Sequence, residues 1–320
     1  MAPTATIGPA TTISPATTAL GIDVGGTGIK AAVVGPGGQL LARRSVPTPA
    51  RHGADAVLDT VVLLAREVLA EAGPVHTAGL GTAGVVAPDG RSIAHATDAL
   101  PGWAGTPVAE RLEQGIGLPF TVLGDVQAFL AGEAALGAAR GAATAVGVMA
   151  GTGVGGAVWA NGALLRGATG AAGHLGHIAV PGAEGELCPC GRTGHVEALA
   201  AGPAMTGLFR RAVPTASATD LRDVARLAAQ EHPKAVEVLT RGGRALGTVI
   251  GGVVAALDPD VVVLAGGVLD SGPWYEHALR AALSETTLPS LATVSVVRAE
   301  LGSDAVLLGA AAAGRDAHAT

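Results

Sequence analysis

Apolar residues in this chain come either in short runs cut by glycine or in longer stretches where they recur every three to four positions. Residues 19–24, 29–34 and 40–46 are three such runs, parted by Gly25-Gly26-Thr27-Gly28 and by Pro36-Gly37-Gly38. They predict a strand, a tight glycine turn, a strand and a hairpin. From 55 to 72, Val57, Leu58, Val61, Val62, Leu64, Ala65, Val68 and Leu69 recur at helical spacing, giving an amphipathic helix that Gly73-Pro74 stops. A strand over 77–86, a helix over 107–117 and a strand over 120–123 follow. Asp125 then opens a helix to about Gly137, and strands 145–150 and 157–160 flank Gly151-Thr152-Gly153-Val154-Gly155-Gly156. Helices are predicted over 196–211, 220–230, 234–257, 274–283 and 305–314, with a buried strand over 261–265 and another over 292–297. Gly242, Gly243, Gly247, Gly251 and Gly252 would let the longest helix approach its neighbours closely. Strands alternating with helices predict an α/β protein.

The two glycine turns repeat one design more than a hundred residues apart, which suggests two related halves. Glycines let backbone N–H groups reach an anion without a Cβ in the way, and Thr27 adds a hydroxyl. Asp23, at the end of the first strand, could hold a magnesium ion through water. A plain hairpin explains either turn equally well when it is taken alone. Neither is a Walker loop, since no Gly-Lys-Ser/Thr follows, and hairpin strands rather than a long helix argue against a dinucleotide fingerprint. Asp125 likewise has two readings. It can cap a helix, or it can take the proton of a hydroxyl that attacks a phosphoryl group. Trp103 could line a cleft or simply pack.

Composition narrows the function classes. The chain has 320 residues, 49% of them hydrophobic and 14% charged, enough for a large core and two domains. A net charge of −6 provides no basic field to hold nucleic acid. With 49 glycines and 2% aromatic residues, packing must rest on Ala, Val and Leu. No apolar run is long enough to span a bilayer. Residues 1–18, rich in Thr, Ala and Pro, read as a disordered tail without the features of a signal or transit peptide. The first strand begins near residue 19, which leaves no room ahead of it for a helix-turn-helix.

Both cysteines, Cys188 and Cys190, lie in the stretch 174–197 together with His174, His177, His195 and Glu197. One residue between two cysteines suits metal ligation better than a disulfide, and it favours a reducing, cytoplasmic setting. Four of the cysteine and histidine side chains in this stretch could close a tetrahedral zinc site. The alternative is that Cys-Pro-Cys is only a tight turn, which leaves the two spaced histidines unexplained.

The ordered segments DVGGTGIK, GTAGVV, LPGW, LPFTVLGDVQA, AGTGVGGAV, GHLGHIAV, CPCGRTGHVE and DVVVLAGGV resemble the ROK family of sugar kinases and repressors from about Leu20 to Gly314. The resemblance implies an actin-like ATPase (ribonuclease H-like) fold with two α/β domains around a cleft. They are placed at 19–122 and 123–305, with a C-terminal helix over 306–318 packing on the first. It implies ATP with Mg2+ near Asp23, Gly25, Gly26, Thr27, Lys30, Gly151, Thr152, Gly153, Gly266 and Gly267. Asp125 becomes the catalytic base, and Gly84, His174, His177 and Glu197 the contacts to a small sugar or polyol. Relatives imply a homo-oligomer, dimer or tetramer.

Four departures from the family pattern stand out, three of them at the acceptor. Gly124 stands where an Asn usually precedes the catalytic Asp, and His174 where a Glu usually meets the sugar. His195 stands where a third Cys usually binds zinc; imidazole is also a zinc ligand, so the resemblance implies His177, Cys188, Cys190 and His195 as a Cys2His2 set around structural zinc. An Asn ahead of the Trp motif also lacks a clean counterpart, with Asp98 or Ala99 in its place. Retained chemistry with altered readers predicts a kinase for a primary hydroxyl of a hexose-like substrate, or for a C7 cyclitol. A sugar-responsive regulator and a retired sugar-binding protein are the alternatives.

Overall fold

The computed structural model describes residues 18–96 and 100–317. The expected tail therefore lies almost wholly outside the described residues, as do Asp98 and Ala99. Five strands form the first sheet: β1 (Ala19–Val24), β2 (Gly28–Val34), β3 (Leu40–Pro47), β4 (Ala78–Thr82) and β7 (Phe120–Gly124), in the order β3-β2-β1-β4-β7. The β1-β2-β3 meander is antiparallel, whereas β1, β4 and β7 run parallel. A short antiparallel pair, β5 (Val85–Val86) and β6 (Ile93–His95), follows β4.

The second sheet repeats this plan. It has the order β10-β9-β8-β11-β12, from β8 (Thr144–Ala150), β9 (Val154–Ala160), β10 (Ala163–Leu164), β11 (Val261–Ala265) and β12 (Ser295–Arg298). Again hairpin-connected strands come first, and β8, β11 and β12 run parallel. The recurrence of the glycine turn in the sequence thus reflects a recurrence of the whole sheet topology.

The chain divides into two compact units. One contains the described residues up to Ala143, with Trp159–Ala171 and the chain from Ser303 onward; the other contains Thr144–Val158 and Ala172–Gly302. Residues 123–143, which the sequence reading assigns to the larger domain, belong to the first unit. The reason is physical: β7 pairs with β4, and the helix it feeds, α3 (Asp125–Leu136), packs on α9 (Ala305–Ala317) against that sheet.

Helix formation follows the apolar spacing. In α1 (Gly53–Ala72), Val57, Leu58, Val61, Leu64, Ala65 and Val68 are buried, and Gly73 at φ 89° returns its N–H to the Leu69 carbonyl. The expected helix over 196–211 is two: α4 (Glu197–Ala200) and α5 (Gly202–Ala212). Extended Ala201 parts them: Pro203 has no N–H with which to continue α4, and the Gly202 N–H turns to the Gly151 carbonyl as α5 begins. After α6 (Leu221–Ala229), capped by the Asp220 carboxylate, the long α7 (Pro233–Leu257) faces α8 (Pro273–Thr286) with its small residues. A Cβ on Gly243, Gly247 or Gly251 would run into Tyr275, Leu279 or Thr286 of α8. The last strand is shorter than expected, because Pro289–Leu291 turns as a 3-10 helix before it. Among the described residues, no helix is long and apolar enough to cross a membrane.

Close backbone contact explains much of the glycine content in the first unit. Gly21 and Gly79 in the sheet face Leu307 and Ala310 of α9, and Gly309 of α9 lies on the Ala128 carbonyl of α3. Gly309→Ala is therefore expected to destabilise the protein by about 1–3 kcal/mol or more through overpacking. Exposed Gly252→Ala, with nothing near its added methyl, should gain roughly 0.5–1 kcal/mol. Urea midpoints of the two variants check both signs.

Candidate active site and metal centre

The register of the first sheet brings three sequence-predicted segments together. Asp23 pairs with Gly81 and Val24 with Thr82, while Thr82 pairs with Gly124. The carboxyl ends of β1, β4 and β7 therefore deliver Asp23, Gly84 and Asp125 to one edge, the edge where open α/β sheets bind ligands. Gly84 adopts φ 105°, and an added Cβ would sit 2.7 Å from the His95 carbonyl. Gly124 is its neighbour, its own Cβ position lying 3.5 Å from the Gly84 carbonyl.

Asp125 is not the N-cap. Gly124 holds that position in extended geometry, and Asp125 is the first residue inside α3. The Gly124 N–H is satisfied instead by the Gln127 side chain, at 3.2 Å. Gln127 in turn donates to the Gly170 carbonyl. Asp125 is half-buried, and its Oδ1 accepts from the Val126 N–H at 2.8 Å. Asp125 thus stands one place inside the expected N-cap and still accepts an N–H of the first turn of α3.

The first glycine turn is tied back on itself by the Gly25 N–H to the Gly28 carbonyl, and Thr48 donates its hydroxyl to the Gly25 carbonyl at 2.6 Å. Thr27 is exposed at its tip. Lys30 pairs with Asp23 at 3.2 Å and donates to the Ser303 carbonyl at 2.7 Å. Burial pushes the Asp23 carboxyl above its ordinary value, and Lys30 pulls it part of the way back. Trp103 is fully buried and donates its indole N–H to Thr82, so it packs under this edge rather than lining a cleft.

In the second unit, β8 and β11 end side by side, which places Gly151-Thr152-Gly153 next to Gly266-Gly267. Gly266, at φ 98°, lies on the Ala150 carbonyl. Gly151, Thr152 and Gly267 line a cavity of about 800 Å³ whose other walls come from α5 and from the start of α6. Pro203, Leu221, Ala225 and Val268 make it apolar, while Arg210 and Asp270 supply charge. These helix walls were missed in the sequence. The only signal was the small, helix-opening Gly202-Pro203.

The segment 174–197 is a miniature hairpin. Ala179 bridges His195, Leu187 bridges Thr193, and further bonds join Val180 to Gly194 and Val196 to Ile178. A tight turn from Cys188 to Gly191 carries both thiols. These ladders bring together all four residues expected from spacing: one ligand atom each from His177, Cys188, Cys190 and His195 lies within 4.8 Å of the others. Cys188 Sγ is 3.6 Å from His177 Nδ1, and Cys190 Sγ is 3.3 Å from His195 Nδ1. Burial holds His177 below its usual value, favouring the neutral imidazole that ligates metal, and pushes the Cys188 thiol up to about 11. Two thiols and two imidazoles at this spacing fit a tetrahedral zinc ion. The His174 ring stacks on that of His177 at 6.1 Å.

Glu197 opens α4 directly after this hairpin and is 8% exposed. Its Oε2 accepts from the Val154 N–H at 2.7 Å, and its Oε1 lies 3.8 Å from Cys188 Sγ.

The geometry has relatives. Over 92% of this chain and 97% of the relative, it is 36% identical to an N-acetylmannosamine kinase of Escherichia coli O139:H28. Among solved structures it is similar to a ROK hexokinase from Thermus thermophilus, with a TM-score of 0.84 and 35% identity over 93% of this chain and 97% of that one. A ROK family glucokinase from Streptomyces griseus, in complex with glucose and AMPPNP, matches with a TM-score of 0.76 and 29% identity over 93% and 99% of the two chains. These neighbours carry the actin-like ATPase fold, as the two repeated sheets do. The ROK family model matches residues 19–316, and the chain belongs to the ROK family.

Proposed function

We propose that this phosphotransferase moves the γ-phosphoryl group of ATP to a primary hydroxyl of a sugar, with an N-acylated hexosamine as the leading acceptor. The observation that carries this reading is Asp125, a half-buried acid at the strand-to-helix junction where β7 delivers it to the ligand edge of the first sheet. The similarity over nearly the whole length to N-acetylmannosamine kinases supports the acceptor class.

In this scheme Asp125 takes the hydroxyl proton as the oxygen attacks phosphorus. The N–H groups of Gly26 and Thr27, and of Thr152 and Gly153, offset phosphate charge, while those of Gly25 and Gly151 close the turns on Gly28 and Gly153. Asp23, paired with Lys30, would hold a magnesium ion through water. The apolar cavity beside Gly267 takes the nucleoside. His177, Cys188, Cys190 and His195 hold zinc, which cross-links the hairpin when bound. His174, the second ring nitrogen of His177 and Glu197 meet the acceptor.

Gly124 and His174 withdraw an amide and a carboxylate from the usual set of hydroxyl readers. Each lost partner costs about 1–3 kcal/mol for an acceptor that needs it. N-acetylmannosamine is therefore expected to exceed glucose in kcat/KM by roughly 10-fold or more, with His174→Glu narrowing the ratio. An ADP-release assay over glucose, N-acetylhexosamines and C7 cyclitols decides this. Preference for a cyclitol would transfer the assignment to that class, which the same two departures also favour. No ADP release with any acceptor would remove the kinase reading.

A further inference from the structure

We infer that Glu197 is a positioning residue coupling the metal-binding segment to the turn Gly151–Gly153: through the Val154 amide it holds that turn in the shape that binds a nucleoside triphosphate. The inference rests on reading that turn as the donor-phosphate site.

Four contacts converge on it. Glu197 Oε2 receives the Val154 N–H at 2.7 Å, a charge-assisted bond in a side chain only 8% exposed. A Cβ on Gly153 would lie 2.8 Å from the same oxygen, so glycine is what admits the carboxylate to the turn. The short 3-10 helix Leu175–His177, which carries a metal ligand, packs on Val154 as well: a Cβ on Gly176 would strike the Val154 carbonyl. From the other side the Gly202 N–H donates to the Gly151 carbonyl at 2.9 Å, and Gly202 follows α4, the helix that Glu197 opens. Within the turn, the Gly151 N–H closes on the Gly153 carbonyl at 2.8 Å. The turn is thus gripped at both ends by the segment that follows the thiols, and one carboxylate supplies the charged contact.

The other oxygen, Oε1, accepts from the Cys188 thiol at 3.8 Å and keeps a second lone pair for the proposed acceptor. A single side chain then touches the metal-binding hairpin, the proposed acceptor position and the donor turn. Filling or distorting one alters the turn geometry offered to the nucleotide.

The test is a double-mutant cycle on the zinc-replete full chain, with β,γ-imido ATP and Mg2+ as the probe, read by titration calorimetry. Glu197→Ala is expected to weaken nucleotide binding by about 10–100-fold, the size of losing a charge-assisted bond. Glu197→Gln retains an oxygen acceptor for the Val154 N–H and should restore affinity to within about threefold of wild type, while KM for the acceptor stays raised. Gly153→Ala should weaken binding by pushing the carboxylate away. In the Glu197→Ala background the added methyl meets no oxygen, so the double variant should bind as Glu197→Ala alone does. Multiplying losses, or wild-type affinity in Glu197→Ala, would overturn the inference. If wild type itself binds no β,γ-imido ATP, the donor reading fails. The clamp is then judged by hydrogen exchange at the Val154 amide without nucleotide, which should quicken in Glu197→Ala; unchanged exchange overturns it. Should Glu197→Ala fail to fold, Glu197→Gln and Gly153→Ala carry the same readouts.

Discussion

Asp125→Asn is expected to lower kcat by roughly 10²–10⁴-fold, the range supplied by a positioned general base, while nucleotide and acceptor bind nearly as before. The substitution is close to isosteric, and an Asn Oδ1 can still accept the Val126 N–H that now holds the carboxylate. Neither the Gly124 N–H, which is satisfied by Gln127, nor the helix start depends on the charge. Stability should therefore change little, and the loss should fall on the chemical step. An interaction realised only as the proton leaves appears in kcat and in kcat/KM together, with binding constants spared. Steady-state kinetics beside calorimetric titration of nucleotide separate these quantities. Turnover within a few-fold of wild type would remove Asp125 from the role of base. A fall in melting temperature with loss of binding would make it a structural residue at the end of β7.

Legibility in the sequence followed the range over which each feature is determined. The turns at Gly25 and Gly151, the strand that ends at Gly124 and the amphipathic face of α1 are local, and the pattern of residues suffices to place them. The metal set was legible for a similar reason. His177, Cys188, Cys190 and His195 lie within 19 positions of one another, and a short hairpin is enough to gather them. Features that needed the tertiary fold were not legible. The break at Ala201 depends on Gly202 turning back to the Gly151 carbonyl, fifty-one positions away. The cavity walls of α5 and α6 meet Gly267 only because β8 and β11 are neighbours. Asp125 reads as a cap by propensity, yet the helix starts one residue earlier, with Gly124 at the N-cap and its N–H taken by the Gln127 side chain. Residues 123–143 join the first unit through the pairing of β7 with β4, a long-range choice that the short apolar run at 120–123 does not announce. Glu197 was singled out for the acceptor, and its bond to Val154 could not be foreseen from spacing alone.

Removing zinc is expected to cost the protein both activity and stability, activity by more than about 100-fold, since outer partners of a metal alone account for roughly 10–100-fold. The hairpin over 178–196 is short of other means to hold itself. Val180, Ala183 and Val196 reach the core, but His177 and Cys190 are exposed, and the ladder consists of isolated bridges. Arg211 pairs with Glu186 at the surface, where such pairs contribute little. A bound ion at about 1,000 times its Kd contributes about 4 kcal/mol through linkage, enough to decide whether the segment stays ordered. Its loss would reach Glu197 and α4, which follow directly and pack on α7. Purified protein should therefore carry stoichiometric zinc by elemental analysis. A strong chelator should lower the melting temperature and abolish turnover, and added Zn2+ should restore both. Cys188→Ser and Cys190→Ser should behave like the chelated protein. His195→Cys is the discriminating variant: a thiolate at that position is an equally good tetrahedral ligand, so it should keep its zinc, whereas His195→Ala should not. Metal-free protein with full activity and an unchanged melting temperature would reduce the Cys-Pro-Cys segment to a tight turn with one buried and one exposed thiol, the hairpin being held by its backbone bonds and by Val180, Ala183 and Val196.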